Sequence, residues 1–244
     1  MKKTPSYETQ ELREFARVLR GRRTVNQYIQ TPVPDELVHE AIEVATWAPN
    51  HYVSEPWRFI LPGEETVGRI IDLCGEMVTA AKGAELAEHK RCSWSEKPGW
   101  LIVTCQRSEN ALREQEDYAA CCAAVQNFTL YLWKAGVGSK WTTGAITRDT
   151  RFFEIIGVDA AEAFVVGMLW FGYPKITPTQ SRQDVDDVLV HTALCFTRGK
   201  NTEQGSPASD MVAEKFLGGG AHYGDFLLIV AVGYAVGFPE AQIR

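Results

Sequence analysis

Two stretches of the sequence concentrate side chains that could do chemistry. The first is Arg22-Arg23-Thr24, which follows an amphipathic helical pattern that ends at Gly21. Two guanidinium groups and a hydroxyl suit a phosphate, because arginine presents a planar fork of donors and threonine adds one more. A solvated charge cluster is the alternative that the same spacing allows. The sequence therefore predicts either a phosphate clamp or an exposed basic loop here.

The second stretch begins at Trp47 and reads Trp-Ala-Pro-Asn-His-Tyr-Val-Ser-Glu-Pro-Trp-Arg-Phe. Pro49 and Pro56 restrict the backbone near both of its ends, so a helix cannot cross it and a stiff loop must lead into a strand. Such a loop can present Trp47 and His51 to a ligand. The alternative is that Trp47 and Trp57 only fill the core, as tryptophans often do.

Other catalytic and metal-binding signatures are missing from the sequence. His39-Glu40 lacks the second histidine of a zinc-protease helix, and no Gly-x-Ser-x-Gly, Walker or Rossmann glycine pattern occurs. The six cysteines include no Cys-x-x-Cys pair, and Cys121 and Cys122 are adjacent in a helical segment. We therefore expect neither a metal site nor a disulfide framework, which fits a reducing compartment.

The composition is that of an ordinary globular protein. Of the 244 residues, 45% are hydrophobic and the net charge is -6, so one sizeable core is expected and a nucleic-acid partner is not. Lys2 and Lys3 are followed by polar residues instead of the apolar core of a signal peptide. We therefore predict a cytoplasmic protein with no membrane partner.

Helical and apolar segments alternate along the chain, which predicts an α+β fold with one small sheet and helices on both sides. Continuous apolar runs at 100–105 and 163–173 are typical of central strands covered on both faces, and 57–61 is a shorter strand. The longest helical pattern spans 109–134. Its small apolar residues favour close packing on two sides, and a partner subunit would supply the second side.

Five motifs follow one another along the chain. They are Arg-Arg-Thr after the first helix, Pro-Val-Pro-Asp-Glu-Leu, the Trp-Ala-Pro-Asn-His loop with Glu-Pro-Trp-Arg-Phe, Lys-Ala-Gly-Val-Gly-Ser-Lys-Trp-Thr-Thr-Gly, and Gly167 to Gly172 before Tyr-Pro. Together these motifs resemble the FMN-dependent nitroreductase family, in particular its small single-domain subgroup with histidine two residues after Ala-Pro. They occur in the family's order and spacing over roughly residues 12–190.

The resemblance implies a nitroreductase-like α/β sandwich, with a small central mixed sheet flanked by helices, in a domain-intertwined homodimer. Two FMN molecules would lie at the subunit interface, each bound by both chains. The cofactor-binding residues implied are Arg22, Arg23, Thr24 and Arg182 for the phosphate and ribityl end, Trp47 and His51 from the other subunit, and Trp141, Thr142, Thr143 and Gly144 along the isoalloxazine.

The implied activity is hydride transfer from NAD(P)H through FMN to a nitroaromatic, quinone or similar small oxidant by a ping-pong mechanism. FMN carries this chemistry, so no catalytic side chain is expected. Two alternatives stay open. One is a same-fold FMN enzyme with different chemistry, such as a dehalogenase or a small-metabolite dehydrogenase, and the other is a flavin-less binding protein. The natural oxidant and the choice between NADH and NADPH are not encoded in any motif we recognise.

The chain departs from the pattern of many relatives at four positions. Asn50, Val53 and Glu55 stand in the loop where relatives read Pro-Ser-x-x-Asn-x-Gln-Pro-Trp, and Thr142 stands where much of the subgroup has an arginine. We therefore expect weaker side-chain contact with the flavin here, and a larger share of anion binding by the three arginines named above.

We expect residues 1–192 to form the FMN-binding domain and residues 193–244 to be a C-terminal extension of unknown role. The extension contains a polar stretch and Gly218-Gly219-Gly220, which cannot offset the entropy lost on ordering. Its apolar run, 226–238, is shorter than the ~20 residues of a membrane-spanning helix. An extra element packed on the dimer, a disordered segment and a non-native extension are the alternatives. We favour the non-native extension, for instance from a shifted reading frame.

Overall fold

The chain begins with two amphipathic helices, α1 (Gln10–Gly21) and α2 (Asp35–Thr46), in the computed structural model, which describes residues 9–190. Thr9 caps α1 by accepting a hydrogen bond from the Leu12 N–H at 3.1 Å. Pro34 precedes α2, whose first turn carries two acidic side chains that favour the positive end of the helix dipole.

Strands and helices then alternate along the chain. They are β1 (Trp57–Ile60), α3 (Glu64–Lys82), α4 (Ala84–Ser95), β2 (Gly99–Gln106), α5 (Ala111–Lys134), β3 (Gly138–Thr142), α6 (Thr150–Ile156) and β4 (Ala163–Gly172). Short 3-10 turns occur at His51–Val53 and Ala145–Arg148. The predicted strands at 57–61, 100–105 and 163–173 and the predicted helix at 109–134 are confirmed to within two residues at each end.

The four strands form one sheet in the order β1-β2-β4-β3. We predicted a mixed sheet, and this detail is wrong for the four strands, because each neighbouring pair is antiparallel. The reason is the position of β4: α5 carries the chain from β2 to a parallel β3, and β4 fills the gap between them, antiparallel to both. Within residues 9–190, parallel pairing is limited to an isolated bridge between Thr24 and Ser139.

Both faces of the sheet are covered, as the continuous apolar strands predicted. Leu101 and Val103 of β2 pack with α2 and α5 on one face, whereas Trp100 and Ile102 pack with α3 on the other. This alternation is the period of two that a strand imposes on its side chains. The two cores therefore fix β2 and β4 in the middle of the sheet and leave β3 at one edge.

Contacts within the chain divide it into two units, Met1–Gln183 and Asp184–Arg244. All the helices and strands named above belong to the first unit. In the second, residues 184–190 contain a 3-10 turn, Val185–Asp187, in which Asp184 Oδ1 accepts a hydrogen bond from the Asp186 N–H at 3.1 Å. The predicted extension, 193–244, lies outside the described residues, so the domain boundary at 192 stays a prediction.

Candidate functional site

The three arginines of the predicted phosphate clamp come together at the end of α1. Arg22 follows the last helical residue, and its own N–H still donates to the Val18 carbonyl at 3.0 Å. Arg23 is held by backbone carbonyls, since its guanidinium donates to Arg20 at 2.6 Å and to Arg22 at 2.9 Å. Arg182 reaches the same place from beyond β4 and lies close enough to Arg22 to interact with it electrostatically. The fold therefore assembles the clamp from two distant segments.

Arg22 is the member of this cluster whose charge is not compensated. Its side chain is half-buried, and among residues 9–190 its guanidinium has no hydrogen-bond or ion-pair partner. Burial lowers the pKa of Arg22 below its ordinary value, and the like charges of Arg182 and Arg23 lower it further. Three converging cations without an acid between them make a strong anion-binding environment.

The predicted isoalloxazine residues follow directly along the edge of the sheet. The bridge between Thr24 and Ser139 places residues 22–26 beside β3, and the Val25 N–H donates to the Ser139 carbonyl at 3.0 Å. Trp141 lies over Gly167 of β4, where any Cβ would collide with the indole, and its Nε1 donates to the Val166 carbonyl at 3.2 Å. The close approach to glycine thus fixes the ring of Trp141 against the sheet.

Beyond Trp141 the chain leaves β3 as an open loop. Thr142 is half-buried, whereas Thr143 and Gly144 are exposed, and no heavy atom outside the immediate chain lies within 4 Å of a Cβ placed on Gly144. The Gly144 carbonyl accepts hydrogen bonds from the N–H and the Oγ1 of Thr147, at 3.0 and 2.9 Å. These two bonds hold the loop against the 3-10 turn that follows it. The backbone here is ordered and accessible to a ligand.

Two lysines that the sequence interpretation missed converge on Asn26, next to these residues. Lys140 of β3 donates to Asn26 Oδ1 at 2.8 Å, and Lys97 donates to the Asn26 carbonyl at 3.0 Å. Both ammonium groups lie over the Trp170 ring, 5.4 and 5.7 Å from its centroid. Burial lowers the pKa of each lysine, and the charge of Lys90 lowers both further. The positive field therefore continues from the arginines towards the loop after β3.

Trp47 and His51 lie in a second group of residues, after α2. Trp47 is 79% exposed, so the alternative that it fills the core is wrong, whereas Trp57 is buried. His51 Nδ1 is 2.9 Å from Glu116 Oε2 of α5, and the imidazole stacks on the Tyr52 ring with a centroid distance of 4.0 Å. Together with α5, this loop borders an open groove of about 580 Å³, lined by Pro49, Asn50, His51, Glu116, Ala119, Ala120 and Ala123.

Within residues 9–190, no hydrogen bond, ion pair or ring contact joins this second group to the arginines or to residues 141–144. A larger groove, of about 1160 Å³, lies elsewhere, along β1 and the loop after α6, and none of the predicted site residues lines it. Its rim carries both charge signs, with Arg107 4.0 Å from Glu114. The candidate site is therefore the arginine cluster together with the loop after β3, although the larger groove lies elsewhere.

The departures from the family pattern in the loop have a structural role. Asn50 Oδ1 accepts a hydrogen bond from the Glu55 N–H at 2.7 Å, and its Nδ2 donates to Ser54 Oγ at 3.1 Å. Ser54 in turn donates to Asp117 Oδ1 at 2.5 Å. Sequence periodicity could have indicated Asp117, because this acid shares the buried stripe of α5 with Ala120 and other small residues.

Several large apolar side chains are exposed on α1 and in the loop after α2. On α1, Leu12 is 48%, Phe15 59% and Leu19 43% exposed, and no residue of this helix is fully buried. A single helix of 12 residues is marginally stable in water unless its apolar face is packed. Tyr52 and Val53 are also more than 70% exposed. Exposed apolar side chains of this kind are typical of an interface.

Two further predictions concern metals and membranes. In the described part of the chain, no group of three or more His, Cys, Asp or Glu side chains is arranged to hold a metal ion. Among the same residues, every helix is too short or too polar to cross a membrane.

Comparison with known proteins identifies the family of the chain. A model of the nitroreductase family matches residues 19–173. YfhC of Bacillus subtilis (strain 168), whose name places it provisionally among the NAD(P)H nitroreductases, is 32% identical over 166 residues, which are 66% of this chain and 84% of YfhC.

Solved structures share the fold. The nitroreductase-like family protein from Bacillus cereus is 28% identical, with a TM-score of 0.65 over 78% of this chain and 99% of that protein. Iodotyrosine deiodinase, bound to FMN and 3-iodo-L-tyrosine, is 21% identical, with a TM-score of 0.58 over 75% of this chain and all (100%) of that protein. The match to the family model, residues 19–173, includes Arg22, Arg23, the four strands and the loop after β3, and it ends before Arg182.

Proposed function

Because the chain belongs to the nitroreductase family, we propose that it is an FMN-dependent oxidoreductase that transfers hydride from NAD(P)H to a nitroaromatic, quinone or similar small oxidant. The observation that carries the proposal is the uncompensated charge of Arg22 between Arg23 and Arg182. Such a cluster suits a dianionic phosphate, which the FMN tail would supply.

The residues around the cluster also suit the rest of FMN. Thr24 is exposed beside β3 and offers a hydroxyl between the arginines and Trp141. The loop from Trp141 to Gly144 offers an indole edge and accessible backbone, which is what a flat ring system with few hydrogen-bonding atoms requires. Lys140 would favour negative charge on that ring system, whereas the charge of Lys97 is partly offset by the neighbouring Glu96.

When bound, FMN supplies the chemistry, since it accepts a hydride from a nicotinamide and passes it to a second substrate. The protein would bind the cofactor through the arginines and hold Trp141 rigid. The loop from Trp141 to Gly144 would restrict the access of water to the flavin ring. Because one open face would serve both substrates, the oxidised nicotinamide, NAD(P)+, must leave before the oxidant enters, which is a ping-pong mechanism.

We propose that the complete site needs two chains. Trp47 and His51 are exposed on one protomer but have no contact with its own arginines, and the apolar face of α1 has no cover within the described part of one chain. In a homodimer, the partner's Trp47 and the partner's His51 would lie over the cofactor held by Arg22. The apolar surface would then be buried in an isologous interface.

A second function deserves a test, because the chain shares its fold with iodotyrosine deiodinase. A reductive dehalogenase would use the same phosphate clamp but would need polar groups that bind an amino acid. Measuring the release of halide from a halogenated aromatic amino acid, beside quinone reduction, distinguishes the two activities.

The proposal is tested by anaerobic stopped-flow absorbance with the full-length protein. We expect the bound flavin to absorb at a wavelength near that of free FMN. NADH or NADPH should bleach this absorbance band, and a quinone or nitroaromatic should restore it in a second mixing step. Bleaching without reoxidation by either class would favour the alternatives of the same fold, a dehalogenase or a small-metabolite dehydrogenase, and halide release would then distinguish these two. Failure of both nicotinamides to bleach a bound flavin would contradict the proposed activity.

A further inference from the structure

The loop that carries His51 is held in an unfavourable backbone conformation. Tyr52, Val53 and Glu55 have φ angles of 60°, 50° and 45°, in the left-handed region that favours glycine. Val53 is β-branched, which makes a positive φ especially unfavourable. Each such residue costs about 1–3 kcal/mol, and the conformation persists only when the surrounding structure imposes it.

Part of this constraint comes from within the loop. The Asn50 side chain spans it, accepting from the Glu55 N–H at 2.7 Å and donating to Ser54 Oγ at 3.1 Å. The Val53 N–H also donates to the Asn50 carbonyl at 3.3 Å. These bonds close the loop into a tight turn, but they do not fix it relative to the rest of the fold.

The connection to the fold is made through two consecutive acids of α5. Ser54 Oγ donates a short hydrogen bond of 2.5 Å to Asp117 Oδ1. Asp117 is 5% exposed, and its other oxygen is 3.7 Å from Arg113 Nε. The preceding acid, Glu116, contacts His51 at 2.9 Å. The loop is therefore attached to α5 at both of its ends.

A buried carboxylate is costly unless hydrogen bonds compensate for its lost hydration. Asp117 lies on a helix face that otherwise carries Ala120, Cys121 and Ala124, all of them buried in the core. An apolar side chain would suit that face better. Its hydrogen bond to Ser54 accounts for an acid at this position.

We propose that Asp117 is a positioning residue, which acts through Ser54 to hold the strained loop where His51 and Tyr52 face the substrate position of the partner subunit. This inference rests on the proposed function. Without the Asp117 side chain, the loop relaxes to ordinary backbone angles, and the stacked His51–Tyr52 pair no longer defines where the substrate binds. The consequence is weaker capture of the oxidant, with the phosphate clamp unaffected because it lies in a separate segment.

Ser54→Ala, Asp117→Ala and the double variant test this connection in the full-length protein, with Ser54→Thr as the conservative variant. Asp72→Asn, an exposed aspartate of α3, is the matched control. We expect the KM for a quinone to rise about tenfold in Ser54→Ala, the effect of one lost hydrogen bond to a charged group. Bound FMN per chain should stay constant. Ser54→Thr should restore the KM, and the double variant should be no worse than Asp117→Ala, because both changes break one link.

Hydrogen exchange of the amides at 50–55, measured by mass spectrometry, reports on the loop itself, with or without flavin. We expect faster exchange confined to this segment in Ser54→Ala. Unchanged exchange and KM in Ser54→Ala would overturn the inference, as would additive effects in the double variant. If Asp117→Ala does not fold, the comparison of Ser54→Ala with Ser54→Thr alone tests the inference. Wild-type protein that binds no FMN would refute the proposed function, and the exchange data would then decide the role of Asp117 in the loop.

Discussion

Replacing Arg22 with methionine tests the phosphate clamp, because the structure predicts opposite effects on cofactor binding and on the stability of the flavin-free protein. Methionine keeps much of the length of the side chain and removes the charge. Arg22 has no acidic partner within residues 9–190, and its neighbours Arg23 and Arg182 carry the same charge. Its removal therefore takes away a repulsive, half-buried cation.

The magnitude follows from the bonds that Arg22 would make. A hydrogen bond to a charged group contributes about 1.5–3 kcal/mol, so losing the Arg22 contact should raise the Kd for FMN about 10- to 100-fold. Arg23 and Arg182 remain, so binding should be weakened and not abolished. The midpoint of thermal unfolding of the flavin-free protein should stay the same or rise, since no native hydrogen bond of the Arg22 side chain within the described residues is lost.

The assay is a titration of flavin-free protein with FMN, followed by the quenching of flavin fluorescence. Arg17→Met, in the exposed part of α1, is the matched control, and Arg22→Lys should restore part of the affinity through its charge. Arg23→Ala provides a contrast, because it also removes the bonds to the Arg20 and Arg22 carbonyls and should lower both affinity and stability. A Kd for Arg22→Met within twofold of wild type would refute the assignment of the clamp.

Three further predictions follow from the same geometry. At an FMN concentration well below the Kd of Arg22→Met, mixing this variant with His51→Ala under subunit exchange should regenerate some intact sites, with activity above that of either variant alone. No gain over the two separate variants would argue against a site shared between chains. Lys140→Met should lower the two-electron potential of bound FMN by about 30–60 mV, the equivalent of one charged contact, as measured by spectroelectrochemistry. Lys82→Met, at the exposed end of α3, is the control, and an unchanged potential in Lys140→Met would place this lysine away from the flavin ring. A protein that ends at Thr192 should fold, dimerise, bind FMN and reduce a quinone as the full chain does, and loss of flavin or of the dimer would assign the extension to the working fold.

Much of the fold could be predicted from the sequence because its strands are continuous apolar runs. The runs at 100–105 and 163–173 indicate burial on both faces, and the sheet has these strands at its centre. The order of the strands could not be predicted in this way. Apolar runs do not distinguish parallel from antiparallel neighbours, so the insertion of β4 between β2 and β3 could not be predicted from them.

The candidate site divides in the same way. Arg22, Arg23 and Thr24 are adjacent in sequence, so their proximity needs no fold, whereas Arg182 was expected at the cluster only from the resemblance to a family. Lys97 and Lys140 are 43 positions apart, and only the pairing of segment 22–26 with β3 brings both to Asn26.

The loop shows a further limit. Periodicity places Asp117 on the buried face of α5, but it cannot name Ser54 as its partner. The positive φ angles of Tyr52, Val53 and Glu55 could not be predicted either, because none of these residues favours them. Here the tertiary contacts override local preference, which is typical of segments that serve function.

The most direct test of the proposed cofactor site is the amount and identity of flavin that the purified wild-type protein retains. The protein is incubated with excess FMN, passed through a desalting column and denatured, and the released flavin is identified by mass and quantified by absorbance. The arginine cluster and the loop after β3 predict close to one FMN per chain, and far less riboflavin retained when that is offered instead, because riboflavin lacks the phosphate. Equal retention of the two flavins, or no retention of FMN, would contradict the assignment of Arg22, Arg23 and Arg182 to a flavin phosphate.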